Sequence, residues 1–538
     1  MQLFCVDYVK IHNKQNKQTM EIKYTLPTTI LALALMLSTS CHKDDEHIVE
    51  EDDNSIQTIN SKPDDEDPIA RNNRELLAEL DGNVSENGSF VIEQAVRAGN
   101  WEDCEYNTCS FSYVSTTATG QPVWLTGRMS WPKEGEAKNI IVGCHSTITD
   151  DASCPSKNLS PISECGIASA MFASNALVVF PDYEGFGSTV DRPQAYLCQE
   201  ATARQVVDGV IAAREELVNR HHGSIHYNHK TVVVGYSQGA AVAMAVQKYL
   251  EKGFTGEQPK AEALHFAGTV CAGGPYDPLA TIKKYVSDDR IFMPVIVPLM
   301  FKGVCENHPL LAGQCKAEDF LYADFLNSGI FGWLNDKNLT TNDIQQKLCE
   351  YSINHSLGTG EYAATEGDPG FSMYGQADLH PDSHLSQTDG YIPMNEVNNE
   401  NYYWRTTSGT RYAPPSQMFK KEMIDCINGK PAKYDALSNF VMALESNNLL
   451  TGWTPTYPMV VFHSKYDEVV PYSNYENAKK AFSNTTMFHG VIYNTRMILK
   501  HYDVGLIFYA LYLSKYAYSI LNNKAYTLEQ EITIDDMY

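Results

Sequence analysis

The ten residues Thr231 to Ala240, TVVVGYSQGA, constrain the fold of this chain more than any other stretch. The β-branched run that opens it reads as a strand buried on both faces. It leads straight into Gly235, Tyr236, Ser237, Gln238 and Gly239, and then into small residues that begin a helix. A serine on so tight a strand-to-helix turn projects its hydroxyl, and glycines two positions to either side remove the Cβ atoms that would clash. Ser237 is therefore a candidate nucleophile. The helix N-terminus behind it supplies positive potential, and the backbone N–H of Gln238 can face a developing oxyanion.

The surrounding sequence repeats the same alternation. Val123 to Met129 alternates like an exposed early strand, and Asn139 to Cys144 and Ala176 to Phe180 are short apolar runs of buried-strand type. Between the latter and the Thr231 strand, Val206, Val207, Val210, Ile211 and Leu217 recur at helical spacing over Thr202 to Val218, which predicts a crossover helix. A helix over Ala240 to Glu251 and a strand over Leu264 to Val270 continue the order, so a doubly wound, mostly parallel sheet is expected. From Pro275 to about Thr454 the strand pattern lapses. It returns at Met459 to Phe462, with a helix near Tyr475 to Phe482, a strand at Met487 to Tyr493 and an amphipathic helix near Val504 to Leu521. One sheet interrupted by a large insertion is the expected architecture, divided as core 71–275, insertion 276–454 and core 455–538.

With its flanking strand and helix, the Gly235-x-Ser237-x-Gly239 turn resembles the nucleophile elbow of the α/β-hydrolase superfamily, in particular its secreted lipases and esterases. The resemblance covers about Pro122 to Pro275 and Pro458 to Leu521. It implies an acid and then a histidine after the serine. Val460 to Tyr472, VVFHSKYDEVVPY, is similar to the family's acid-bearing strand and loop, which makes Asp467 the matching acid. Glu468 falls one position late and is expected to be a solvated loop charge; His463 is expected to pack at the strand end. His501 fits the histidine, since it follows the last expected strand and precedes the terminal helix, with His489 as its rival inside that strand. These assignments imply a Ser237, His501, Asp467 relay, with His501 taking the serine proton and Asp467 orienting the imidazole. They also imply a fold with a cap or lid inserted between the strand after the elbow and the acid-bearing strand.

The resemblance places a second oxyanion donor after the third core strand, at Cys144, His145, Ser146, Thr147. The backbone N–H of Ser146 is the first choice and that of Thr147 the next. Pro181 to Gly187, PDYEGFG, is similar to a PDYxGxG signature of secreted lipases, and its carboxylates are expected to shape the turn rather than act chemically. In the insertion, Ile291 to Phe301 reads IFMPVIVPLMF; Pro294 and Pro298 argue against a long regular helix, and the run suits either a lipid-facing lid or cap core. The tyrosines and asparagines of Tyr391 to Tyr412 could line a substrate pocket. The histidines at 221, 222, 226 and 229, and at 380 and 384, lack a zinc spacing, and Gly185 to Thr189 lacks the lysine of a phosphate loop, so no metal and no cofactor is expected.

Charge narrows the partners. With 41 Lys and Arg against 66 Asp and Glu, the net charge is −25, which disfavours nucleic acid. Thr28 to Leu37 is a short apolar run preceded by Lys23 and followed by Ser38, Thr39, Ser40 and Cys41, which reads as a secretory signal over 1–40, with Met20 as the expected initiator. Cys41 and the acidic residues after it resemble the lipid-accepting cysteine and export signal of bacterial surface lipoproteins; simple signal-peptidase cleavage after the small residues Ser38 and Ser40 would instead release a soluble protein. Residues 41–70 are expected to form a flexible acidic linker. Of 13 cysteines, Cys5 and Cys41 precede the folded part and leave 11, an odd number. Cys104 with Cys109, Cys154 with Cys165 and Cys305 with Cys315 are candidate pairs, whereas Cys144 and Cys271 read as buried thiols. The sequence thus suggests an exported enzyme, anchored to the outer membrane through Cys41, that hydrolyses a small-molecule or lipid ester. A serine peptidase of the same fold and an inactive surface-binding module are the alternatives.

Overall fold

The computed structural model describes residues 7–12, 19–24, 106–254, 257–311, 313–356, 367–375, 392–393, 411–493, 500–523 and 531–534. The expected signal run, Cys41, the acidic linker, Cys104, His380 and His384 lie outside these residues, as does most of Tyr391 to Tyr412.

Nine strands form one sheet: β1 (Tyr106–Thr116), β2 (Pro122–Pro132), β3 (Asn139–Cys144), β4 (Ala176–Pro181), β5 (Thr231–Tyr236), β6 (Phe266–Ala272), β7 (Met459–Ser464), β8 (Phe488–Tyr493) and β9 (Glu531–Ile534). Their order across the sheet is β9-β8-β7-β6-β5-β3-β4-β2-β1, with β2 antiparallel to both of its neighbours and every other pairing parallel. The central strands are buried along nearly their whole length because alternate side chains enter two different cores. Ile140, Val142, Val233 and Val461 pack on one face, and Ile141, Val232, Val234, Val460 and Phe462 on the other. Helices α2 (Gln199–Asn219) and α3 (Gln238–Lys252) cover the first face, joined by α4 (Ser473–Ala481). Helix α1 (Glu164–Phe172) and the terminal helix α5 (His501–Ile507), which continues through a π turn and a further segment to Leu521, cover the second.

The expected elements recur with ends shifted by a few residues, and two corrections have physical causes. β2 alternates only as far as Thr126 and is buried from Gly127 onward, because Gly127 is where its pairing with β4 begins. The run expected to resist a long regular helix stays non-helical through Val295 and then enters one, Ile296–Asn307, since Pro298 sits in its first turn, where the missing N–H has no intrahelical partner to lose. β1, α1 and β9 were not anticipated.

The described residues of the segment between β6 and β7 are mostly helical and build a second core, which includes Ile291, Val295, Leu299, Phe301, Phe320, Phe419 and Phe440 together with Tyr196, Leu197, Val469 and Val470 from the loops after β4 and β7. The apolar run is therefore interior packing. This segment leans on loops at the C-terminal edge of the sheet. Thr149 Oγ1 donates to Leu339 O at 2.6 Å, Asn307 Nδ2 to Gln194 O at 3.1 Å and Tyr285 Oη to Val469 O at 2.5 Å. The Lys337 ammonium, buried, donates to the carbonyls of Gly185, Val190 and Arg192. The described cysteines are free thiols, Cys154 and Cys165 included; Cys305 and Cys315 approach to 3.4 Å between sulfurs without a bond.

Candidate active site

At β3 the chain reverses its direction of travel across the sheet: β4 is laid down on one side of it and β5 on the other. The loops after β3 and β5 therefore part at a topological switch point, the crevice where open α/β sheets receive ligands. Ser237 stands at the end of β5 in that crevice.

Its backbone has φ 56° and ψ −122°, a conformation that costs a non-glycine residue free energy and holds only where the surroundings dictate it. Ser237 N–H donates to Ala272 O at 2.9 Å, fixing the turn to β6. Both glycines of the motif answer to close approaches. A Cβ on Gly235 would lie 2.2 Å from Gly239 O, and one on Gly239 would lie 1.9 Å from Cys144 O, so the turn packs against itself and against the end of β3.

The Ser237 hydroxyl lies 2.9 Å from His501 Nε2, and His501 Nδ1 lies 2.7 Å from Asp467 Oδ2. His501 sits 264 positions from Ser237 and 34 from Asp467 in the chain; Ser237 lies on the turn after β5, His501 at the N-terminus of α5 and Asp467 on the loop after β7. Asp467 and His501 are buried and Ser237 is half-buried, so the line runs from the interior to a reachable hydroxyl. The second oxygen of Asp467 accepts from Val469 N at 3.1 Å and Val470 N at 2.7 Å, which fixes the carboxylate plane. Burial by itself would push the His501 imidazole below its ordinary range. The charge and hydrogen bond of Asp467, with Glu468 adding to them, outweigh it and raise its proton affinity.

His463 is fully buried and turns Nε2 to Val470 O at 3.1 Å; burial pushes its affinity down, so it stays neutral at the strand end as expected. His489 lies within β8, in register with Val460, and it is His501 that meets the serine. Asp182 accepts from Thr126 Oγ1 at 2.6 Å and Ser156 N at 2.7 Å, while Glu184 pairs with Arg192 at 2.8 Å, so these carboxylates brace the loop after β4.

Two expectations need correction. Ser146 does not hold a spare donor: its N–H bonds Glu164 Oε2 at 2.9 Å, the carboxyl of a half-buried residue at the start of α1. The N–H groups of Thr147 and Gln238 have no acceptor among the described residues. Cys144 and Gly235 are register partners on neighbouring strands, and Thr147 and Gln238 each lie three residues beyond that pair, which makes Thr147 the better match for Gln238. Glu468 is not a solvated charge either. Its Oε2 accepts from His501 N at 3.0 Å, its Oε1 is buried without a hydrogen-bond partner, and burial followed by the Asp467 charge pushes it up to about 7.

Glu164 gave no sequence signal, because nothing local marks a helix-start carboxyl as facing a loop on a different strand. Tyr236, inside the motif itself, donates its hydroxyl to His501 O. Among the described residues no group of three or more His, Cys, Asp or Glu is arranged to hold a metal.

Residues 186–303 match the PE-PPE domain family. A search of curated proteins finds no match. Among solved structures, the rice cell wall degrading esterase LipA of Xanthomonas oryzae superposes with a TM-score of 0.52 at 16% identity, over 80% of this chain and 95% of that one. A candidate hydrolase from Legionella pneumophila superposes with a TM-score of 0.54 at 17% identity, over 80% and 94% of the two chains. At such identities the likeness speaks to fold.

Proposed function

The chain has an α/β-hydrolase fold, and from that premise we propose that it is a serine hydrolase of carboxylic esters. The observation that carries this reading is the unbroken line of hydrogen bonds from Asp467 through His501 to Ser237, set on a strained turn at the switch point. That the LipA of Xanthomonas oryzae, of the same fold, is an esterase agrees with it.

The steps follow from proton affinities. A serine hydroxyl is too weakly acidic to attack unaided, so His501 Nε2 takes its proton as Oγ bonds the ester carbonyl carbon. The tetrahedral oxyanion faces the N–H of Gln238, with that of Thr147 as its second donor. Collapse expels the alcohol, which leaves with the proton held on His501. Water then gives its proton to His501 and attacks the acyl carbon, and Ser237 recovers its proton as the acid departs. Asp467 keeps Nδ1 protonated throughout, so that Nε2 is the free base, and stabilises the imidazolium.

The test is labelling by a fluorophosphonate probe, together with hydrolysis of an ester panel graded by acyl length. Wild type is expected to carry the probe on Ser237, and Ser237→Ala to lose both labelling and hydrolysis while unfolding at the same temperature. Cleavage of peptides in preference to esters would move the reading to a peptidase. A folded protein that neither labels nor hydrolyses would make it a binding module.

We further infer that the enzyme is exported and held at the outer membrane through a lipid on Cys41, with residues 41–70 as the spacer. This rests on the apolar run Thr28 to Leu37 and the cysteine that follows it.

A further inference from the structure

Asp467 and Glu468 are consecutive, and both bind the same histidine. Asp467 holds the imidazole at 2.7 Å and Glu468 holds the main-chain N–H at 3.0 Å. That N–H belongs to the first residue of α5, whose donors have no intrahelical partner, so the Glu468 carboxyl fixes where the helix starts and hence where the ring stands. Tyr236 holds the carbonyl of the same residue. Resting on the hydrolase reading above, we propose that Glu468 is a second acidic positioning residue of this site, one that seats His501 through its backbone and couples the site's activity to its own charge.

The coupling follows from what surrounds it. The titratable groups facing Glu468 are Asp467 on its own loop, and His501 and Lys500 at the start of α5; His463, at the end of β7, stands 4.0 Å from Asp467 Oδ2. Two adjacent carboxyls in a buried site resist carrying two negative charges, so the one without the imidazole contact retains its proton longer. Its Oε1 is buried with no hydrogen-bond donor among the described residues to stabilise a negative charge there. As pH rises through about 7 Glu468 ionises, and the added negative charge stabilises the His501 imidazolium. A raised affinity at His501 means that the free base, the form that accepts the Ser237 proton, is reached only at higher pH. Ionised Glu468 therefore holds the acid limb of the rate profile at a higher pH than Asp467 alone would.

Two substitutions separate the parts. Glu468→Gln keeps an oxygen for the His501 N–H and removes the charge, so the acid limb of kcat/KM should move down by about half a unit to one unit. Glu468→Ala removes the oxygen, so kcat should fall by about tenfold or more with KM changed less than about twofold, as expected when a base is misplaced by a fraction of an ångström. Full-length protein is used, with the unfolding temperature and fluorophosphonate labelling rate measured beside the kinetics. An unmoved limb in the glutamine variant, with wild-type kcat in the alanine variant, would overturn the proposal while labelled, active wild type left the hydrolase reading intact. Failure of wild type to label or hydrolyse would overturn both. Should the alanine variant not fold, the limb shift of the glutamine variant decides alone.

Discussion

Ser237 is held at φ 56° by neighbours that leave it no alternative: the Ala272 carbonyl takes its N–H, and the two glycines let β3 and α3 close in around it. The same economy applies to Asp467, whose two oxygens have separate duties. One faces the imidazole and the other closes the loop through Val469 and Val470. Asp467→Asn preserves the loop-closing acceptor and presents an amide that favours the wrong tautomer of His501. Ester hydrolysis should then fall by three to four orders of magnitude, on the order of the loss such a change causes in serine hydrolases, with the unfolding temperature within a few degrees of wild type. A variant retaining a tenth of the wild-type kcat would remove Asp467 from the proposed relay. The motif glycines and the serine were legible because local geometry demands them, and the acid was offered by the resemblance of its strand and loop to those of the α/β-hydrolases. The second carboxyl was misread because adjacency in sequence does not tell which way a side chain turns, and the helix that captures it arrives 33 positions later.

At the scale of elements, the buried strands and the crossover helices were readable from periodicity, and their ends moved by only a few residues. β9 was not, because four residues far from the rest of the sheet acquire strand character only by pairing with β8. The insertion shows the opposite error. Its prolines suggested interruption, yet Pro298 in a first turn interrupts nothing. This segment joins the sheet through apolar contacts with Tyr196, Leu197, Val469 and Val470 and through polar ties, among them Lys337, whose ammonium satisfies three loop carbonyls. Lys337→Met keeps the stem and strands those carbonyls, so folding stability should drop by about 2–4 kcal/mol. Chemical denaturation is expected to show the loss. An unchanged midpoint would mean that the apolar contacts alone hold the segment in place.

Across the whole molecule, the sheet and the proposed tether answer different questions. The proposal of a tether rests on sequence alone, and its consequence is testable in cells: palmitate incorporation should be lost in Cys41→Ala, with the protein moving from the membrane to the soluble fraction. Incorporation that survives the substitution would refute the anchor. For the folded part, sequence determined the alternation of strands and helices and the tight turn at Ser237, because these depend on spacing of a few residues and on the backbone freedom of glycine, while Asp467 and His501 were offered by the resemblance to the α/β-hydrolases. Only the tertiary structure decided which backbone donors stay open, since Ser146 is taken by Glu164 from another element and Thr147 is not. It also decided that Glu468 faces inward and that the insertion leans on the edge of the sheet that carries Ser237. Each of these is a contact between segments distant along the chain, fixed when packing satisfies buried polar groups all at once, and no local pattern of residues records the outcome.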